Sequence, residues 1–224
     1  MSGKRPCLLF DLDGTLVHTD PVHLKAFNRM LAPFGRQVDL AYYVEHIMGR
    51  QNAAIMRDVF PDLPESEHRR LADEKEANFR AMADELEPLP GLLELLARAA
   101  DQDVETCVVT NAPRANASMM LQALGLEGRF DVLVIGDEIE HAKPHPLPYL
   151  TGLARLDGDA ARSLAFEDSR SGITAAGAAG LPVIGMATSL DRAALLAAGA
   201  VLAAADYTDG AARSLISERT GLRF

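Results

Sequence analysis

Two aspartates stand two residues apart where a short apolar segment ends. Residues 6–10 are apolar, and Asp11, Asp13 and Gly14 follow them. If the apolar segment is a buried strand that ends in a turn, one carboxylate and one backbone carbonyl can converge on a hard cation. Gly14 permits the bend that this arrangement needs. Similar residues also form plain turns with capping carboxylates, so the interpretation depends on the rest of the chain.

Three later apolar segments also end in polar residues. Thr110 and Asn111 follow residues 105–109, Lys143 comes shortly after residues 132–135, and Glu167 and Asp168 follow residues 163–166. In an open parallel sheet the carboxyl ends of the strands lie at one edge, where ligands bind. We therefore expect these side chains and the two aspartates to form one site.

The elements that must position this site alternate between strand and helix after residue 88. The patterns predict strands at 105–109, 132–135, 163–166 and 182–186 and helices at 92–100, 115–124, 147–154, 172–179 and 192–198. Such alternation favours right-handed crossovers and a parallel sheet covered on both faces. The predicted fold class is α/β, with a doubly wound, Rossmann-like core.

The segment between the first strand and residue 88 has a different pattern. Its apolar residues recur at helical spacing and predict helices at 21–30, 40–48, 53–59 and 66–86. The helix at 66–86 carries a dense run of mixed charges, which predicts a solvated face without a catalytic role. The predicted domains are a core of residues 1–17 and 89–224 and a small α-helical cap of residues 18–88 inserted after the first strand.

The ordered motifs resemble those of the haloacid dehalogenase superfamily. The string Asp11-Leu12-Asp13-Gly14-Thr15 is similar to its first motif. Thr110 resembles the second motif, Lys143 the third, and Glu167 with Asp168 the acidic fourth. The helical insert resembles the cap of the branch that contains β-phosphoglucomutase and phosphoglycolate phosphatase. The resemblance spans most of the chain and implies a phosphatase.

The resemblance implies roles that phosphoryl chemistry also requires. Asp11 is expected to attack phosphorus and form an aspartyl-phosphate. Asp13 is expected to protonate the leaving oxygen and then activate water, which a dehalogenase would not need because halide leaves without a proton. Thr110 is expected to hydrogen-bond the phosphoryl oxygens, and Lys143 to neutralise their charge.

The resemblance also implies a magnesium site. Asp11, the carbonyl of Asp13 and the carboxylate of Asp168 are the expected ligands of Mg²⁺, and Glu167 is expected to be either a second ligand or an outer partner. Carboxylates gathered at one edge would repel one another strongly without a cation. The predicted cofactor is therefore Mg²⁺.

Candidate substrate contacts lie in the insert and after Thr110. Thr19 and His23 occupy positions where the related branch often faces the catalytic aspartates, although His23 also suits a packing or hinge role. Arg50, in a Gly49-Arg50 pair, has the geometry to bind a phosphate or carboxylate in a forked manner or to remain an ordinary surface arginine. Asn111 and Arg114 are the candidates beyond Thr110.

Three functions remain open at this point. The first is a phosphatase for a small organic phosphate, such as a sugar or polyol phosphate. The second is a β-phosphoglucomutase-type isomerase, which is disfavoured because Pro113 and Arg114 stand where mutases of this branch often have a lysine. The third is a non-catalytic regulatory or binding module, which the intact motif series disfavours.

Composition limits the partners. The net charge of −10 disfavours nucleic acid and anionic membranes, and no apolar stretch approaches the ~20 residues of a membrane span. Cys7 and Cys107 lie in apolar strand patterns and are expected to be reduced core residues, as in the cytoplasm. The predicted partner is a small phosphorylated metabolite, and the predicted state is a monomer or weak homodimer.

Overall fold

The structure, a computed structural model, describes residues 4–48, 50 and 52–224. The contacts between residues divide the chain into two units, one of Met1–His18 with Glu87–Phe224 and the other of Thr19–Leu86. We call them the sheet unit and the helical unit. The sequence predicts boundaries at 17/18 and 88/89. That the two units are independent domains stays a prediction.

The described residues of the helical unit form four α-helices. They are α1 (Asp20–Leu31), α2 (Leu40–His46), α3 (Asn52–Val59) and α4 (Glu65–Arg80). Apolar residues from all four helices bury one another in a single cluster, which includes Phe27, Tyr43, Met56 and Leu71. Apart from positions 49 and 51, residues 20–86 contain no strand, as the sequence predicts.

Helix α4 differs from its prediction in length and in exposure. It ends at Arg80 instead of residue 86, because Met82 leaves the helical backbone conformation and a short 3-10 turn follows. The predicted solvated face is also wrong for His68 and Lys75, which are buried. The reason is their spacing, since both share the apolar face of α4 with Phe79.

Among residues 4–18 and 87–224, the sheet unit has six strands. They are β1 (Cys7–Phe10), β2 (Glu105–Thr110), β3 (Val132–Ile135), β4 (Leu164–Glu167), β5 (Val183–Met186) and β6 (Leu202–Ala204). Their order across the sheet is β3-β2-β1-β4-β5-β6, and every neighbouring pair is parallel. The predicted doubly wound parallel sheet is confirmed.

Both faces of this sheet are buried. Cys7 and Leu9 join an apolar cluster on one face, whereas the alternate residue Phe10 points to the other face and stacks on Phe166 at 4.7 Å. Cys7 and Cys107 are free and buried, as predicted. Burial raises the pKa of Cys7 to about 11, so its thiol stays protonated.

Helices flank the strands of the sheet unit. They are α5 (Leu92–Asp101), α6 (Arg114–Ala123), α7 (Leu147–Arg155), α8 (Arg170–Ala178), α9 (Arg192–Ala198) and α10 (Gly210–Thr220). Strand β6 and helix α10 were not predicted from the sequence. Strand β6 is short and rich in alanine, a poor strand former, and its conformation comes from pairing with β5. Within the part of the chain that the structure describes, no helix combines the length and apolarity needed to cross a membrane.

Candidate active site

Adjacent strands bring the acidic motifs together at the carboxyl edge of the sheet. Phe10 in β1 is paired with Phe166 in β4, and the backbone N–H of Asp11 donates to the Phe166 carbonyl at 3.0 Å. Asp11 therefore lies beside Glu167, the last residue of β4. On the other side of β1, strand β2 ends at Thr110. The strand order thus brings motifs that are distant in the sequence to one edge of the sheet, as expected.

Gly14 lets the turn after β1 pass close to the fourth motif. Its φ angle is +70°, a conformation that residues with a side chain rarely adopt. A Cβ atom at this position would overlap the carboxylate of Asp168. The turn closes with a hydrogen bond from the Gly14 N–H to the Val17 carbonyl at 2.8 Å. The glycine is thus required both for the bend and for the close approach.

Lys143 forms the positive centre of the site. Its side chain is buried, and its Nζ atom lies 2.6 Å from Oδ1 of Asp11 and 2.6 Å from Oε1 of Glu167. Burial by itself lowers the pKa of Lys143, but the charges and hydrogen bonds of the two carboxylates outweigh burial and raise the pKa above its usual value. Lys143 is therefore charged at neutral pH.

Asn111 holds the backbone of Lys143 in place. Its side-chain Nδ2 donates to the Lys143 carbonyl, and its Oδ1 accepts from the Lys143 N–H, both at 3.2 Å. A Cβ atom at Gly136 would come within 2.5 Å of the same Oδ1, so the glycine makes room for the amide. The predicted substrate-binding role of Asn111 is untested, and these contacts support a positioning role.

The buried carboxylates form a candidate metal centre. Within the described ranges, Asp11, Glu167 and Asp168 are a group of buried acids whose ligand oxygens lie within 4.8 Å of one another. Burial raises the pKa of Asp11 to about 8, with the charge of Lys143 opposing this shift and Glu167 adding to it. These three acidic side chains outnumber the one ammonium group of Lys143, which contacts Asp11 and Glu167. An all-oxygen donor set of this kind fits a hard divalent cation such as Mg²⁺.

Glu167 already accepts four hydrogen bonds. Its Oε1 accepts from Lys143 and from the Tyr149 hydroxyl at 2.8 Å, and its Oε2 accepts from the Ser169 hydroxyl at 2.9 Å and the Ser169 N–H at 3.3 Å. A carboxylate offers about four lone-pair positions. The geometry therefore supports Glu167 as an outer partner more than as a metal ligand.

Tyr149 and Gly172 confine Glu167. Burial raises the pKa of the Tyr149 hydroxyl well above its usual range, so the hydroxyl keeps its proton and donates to Glu167. A Cβ atom at Gly172 would overlap the Glu167 carboxylate, so the glycine lets the first turn of α8 lie against this side chain. Tyr149 is not among the residues predicted from the sequence, because one tyrosine on an apolar helix face carries no chemical signal of its own.

Thr110 and Asp13 complete the predicted catalytic set. Thr110 is buried, and its hydroxyl oxygen accepts a hydrogen bond from the Ala112 N–H at 2.9 Å. Asp13 is partly buried, and its charge is among those that raise the pKa of Asp11. Both therefore belong to the same edge of the sheet as Asp11.

Three predicted substrate residues belong to the helical unit. Thr19 is buried and precedes α1, and His23 stacks on Phe79 with ring centroids 3.9 Å apart. Arg50 is exposed, with Nη2 2.5 Å from Oδ2 of Asp58. Its predicted partner Gly49 lies outside the described residues. The substrate roles of Thr19, His23 and Arg50 stay predictions.

Arg114 is engaged by an acidic neighbour. Its Nη2 lies 2.6 Å from Oε2 of Glu138, and both side chains are exposed. The hydrogen bond with Glu138 raises the pKa of Arg114. An anionic ligand would have to compete with this ion pair for Arg114.

Comparison with known proteins identifies similar enzymes. The sequence model of the haloacid dehalogenase-like hydrolase family matches residues 8–186. The phosphorylated carbohydrates phosphatase of Thermotoga maritima is 34% identical over 200 residues, which cover 87% of this chain and 91% of that protein. The fructose-1-phosphate phosphatase YqaB of Escherichia coli is 32% identical over 179 residues, 79% of this chain and 94% of that protein.

A solved structure of a similar protein contains phosphate. The crystal structure of CbbY from Rhodobacter sphaeroides in complex with phosphate superimposes with a TM-score of 0.76. The two chains are 28% identical, and the match covers 92% of this chain and 96% of the other. The similarity therefore extends over both units of the present chain.

Proposed function

Since the chain belongs to the haloacid dehalogenase-like hydrolase family, we propose that it hydrolyses the phosphate ester of a small organic molecule, using Asp11 as nucleophile and Mg²⁺ as cofactor. The family predicted from the sequence is confirmed by the match over residues 8–186, and the predicted enzyme class by this match together with the phosphatase relatives. The observation that carries the proposal is the buried contact between Lys143 and Asp11 at 2.6 Å.

This contact supports a nucleophilic role for Asp11. Burial raises the pKa of Asp11, and the charge of Lys143 opposes this rise and so favours the ionised carboxylate, which is the form that attacks phosphorus. In the first step an oxygen of Asp11 bonds to phosphorus while the ester P–O bond breaks. Asp13 gives its proton to the leaving oxygen. In the second step Asp13 takes a proton from water as the water attacks the aspartyl-phosphate, and Asp11 and inorganic phosphate are released.

The remaining groups stabilise the phosphoryl oxygens. Lys143 offers a fixed positive charge and Thr110 a hydroxyl donor at the strand edge. Asp11, the carbonyl of Asp13 and Asp168 are the proposed ligands of Mg²⁺. When bound, Mg²⁺ supplies positive charge that offsets the negative charge of the transferring group.

The proposed substrate class is a sugar or polyol phosphate. It is supported by the two relatives named for phosphorylated carbohydrates and fructose 1-phosphate. We keep Thr19, His23 and Arg50 of the helical unit as proposed substrate contacts. The two buried, free cysteines suit a reducing compartment, so the cytoplasm is the proposed location.

The test is Mg²⁺-dependent phosphate release from a panel of sugar phosphates, polyol phosphates and phosphoglycolate. We expect wild type to act on members of the panel and Asp11→Asn to lose at least about 10³-fold in kcat. Asp73→Asn, which makes the same change at an exposed position of α4, is expected to match wild type. Equal activity of Asp11→Asn and wild type would contradict the proposed nucleophile.

A further inference from the structure

Two hydroxyl side chains follow β5 at the same edge of the sheet as Asp168. The Ser189 hydroxyl donates to Oδ2 of Asp168 at 2.5 Å, and the Thr188 hydroxyl donates to the carbonyl oxygen of Gly14. Neither residue has a place in the family motifs, and the family match ends at residue 186. Both nevertheless contact the segments that carry the proposed ligands of Mg²⁺.

These contacts form one closely packed group. A Cβ atom at Gly14 would overlap the Asp168 carboxylate and come within 3.0 Å of the Ser189 hydroxyl oxygen. Gly14, Asp168 and Ser189 are therefore packed directly against one another. Asp168 itself is only 7% exposed, so its carboxylate is confined by protein atoms.

The segment that carries the two hydroxyls is anchored at both ends. The Ala187 N–H donates to the Ala204 carbonyl in β6 at 2.8 Å. At the other end, Oδ1 of Asp191 accepts from the Ala194 N–H at 2.7 Å and caps α9. A short segment fixed on both sides holds its side chains in a defined geometry.

We infer that Ser189 is a positioning residue for the divalent cation, with Thr188 in a supporting role. The inference rests on the proposed function. A carboxylate that binds a metal through one oxygen needs its other oxygen held, because rotation about the Cβ–Cγ bond would otherwise move the ligand atom. The Ser189 hydroxyl holds Oδ2 of Asp168 and so determines where Oδ1 stands.

Thr188 contacts the other segment that bears a proposed ligand, the turn after β1. Its hydroxyl holds the carbonyl of Gly14, which is one residue beyond the proposed Asp13 carbonyl ligand. The hydrogen bond therefore limits movement of the turn that presents this ligand. Together the two hydroxyls restrain the two ligand-bearing segments, one after β1 and one after β4.

The direct test measures Mg²⁺ binding by the full-length protein with calorimetry, independently of activity. We expect Ser189→Ala to weaken Mg²⁺ binding about 10-fold, the lower end of the range found when an outer hydrogen bond to a metal ligand is removed. The Mg²⁺ concentration for half-maximal activity should rise by the same factor, with kcat at saturating Mg²⁺ within about twofold of wild type. Ser189→Thr, which keeps the hydroxyl, should restore binding.

Matched controls separate this role from a purely structural one. Ser214→Ala removes an exposed hydroxyl that bonds only locally to the Gly210 carbonyl at 2.9 Å, and it should leave Mg²⁺ binding unchanged. Thr188→Val should weaken Mg²⁺ binding, whereas Thr174→Val, on the exposed face of α8, should not. The Thr188 pair also tests the inference if Ser189→Ala does not fold.

The outcomes distinguish the two proposals. If wild type binds Mg²⁺ and both Ser189→Ala and Thr188→Val bind it equally well, the positioning role is overturned while the proposed function stands. If wild type neither binds Mg²⁺ nor releases phosphate, the proposed function is overturned and the positioning role falls with it. A loss of thermal stability without a change in Mg²⁺ affinity also overturns the positioning role.

Discussion

The ammonium nitrogen of Lys143 lies 2.6 Å from Oδ1 of Asp11, and both side chains are buried. These residues are 132 positions apart in the sequence. A buried charge pair of this kind must be satisfied from both sides, because either partner alone would be an uncompensated charge in a medium of low polarity. The contact between Lys143 and Asp11 therefore contributes both to the stability of the site and to its chemistry.

Lys143→Met tests this dependence. Removal of the ammonium leaves Asp11 and Glu167 without their common partner, so we expect a loss of about 3 kcal/mol in the free energy of unfolding. We also expect kcat to fall at least about 100-fold. Urea unfolding and steady-state kinetics measure the two effects. Lys25→Met, at an exposed position, should change neither, and a stable, active Lys143→Met protein would contradict the assignment.

Tyr149→Phe removes one hydrogen bond and keeps the buried ring. Because the lost donor serves a charged acceptor, we expect a cost of about 1.5–3 kcal/mol in stability. Glu167 is then less constrained against Lys143, so kcat should also fall. Tyr42→Phe in α2 is the control, since that side chain lies on the surface of the helical unit. Unchanged stability and kcat in Tyr149→Phe would show that the hydroxyl is dispensable.

Asn111→Ala separates a positioning role from substrate binding. If the amide acts by holding the Lys143 backbone, kcat should fall about 10-fold while KM stays within about twofold. A rise in KM with unchanged kcat would instead support the direct substrate contact predicted from the sequence. Asn78→Ala, in α4 of the helical unit, serves as the control in the same assay.

Two glycines of α8 form a matched pair. Gly172→Ala places a methyl group on the Glu167 carboxylate, and we expect overpacking to cost about 1–3 kcal/mol and to reduce activity. Gly177→Ala meets no atom within 4 Å and should stabilise the helix by up to about 1 kcal/mol. Thermal unfolding and phosphate release of the two variants provide the comparison. Similar effects at both positions would contradict the packing argument.

Asp209 provides a pH-dependent contribution to stability. Its pKa is lowered by hydrogen bonds from the N–H groups of Ala212 and Ala211 and by the hydrogen bond and charge of Arg192, which together outweigh the opposing effect of burial. Because folding lowers this pKa, the stabilisation is complete above the unfolded value of ~4 and is lost as pH falls through the folded value. Asp209→Ala should cost about 1 kcal/mol at neutral pH.

The difference between wild type and Asp209→Ala should therefore shrink as the pH of urea unfolding is lowered toward about 3. Asp209→Asn keeps the capping acceptor and should cost less than Asp209→Ala at neutral pH. A difference that stays constant over this pH range would show that ionisation of Asp209 does not contribute.

Local patterns were sufficient for most elements of the sheet unit. Strand β3 and helix α9 have the predicted bounds, and the other predicted strands and helices of that unit lie within about two residues of their predictions. The patterns failed for β6 and α10, where weak propensities are overridden by pairing and packing. They failed also for His68 and Lys75, because charge in the sequence does not reveal which face of a helix is covered.

The sequence by itself determined the family, the parallel sheet and the residue types available for phosphoryl chemistry, because those depend on local order along the chain. The side chains that support these residues are visible only in the folded protein. Tyr149, Thr188 and Ser189 carry no pattern of their own, and they matter because strand order brings them against Glu167, Gly14 and Asp168. Hydrogen bonds depend on distance and direction in space, and sequence spacing does not encode either between separate strands.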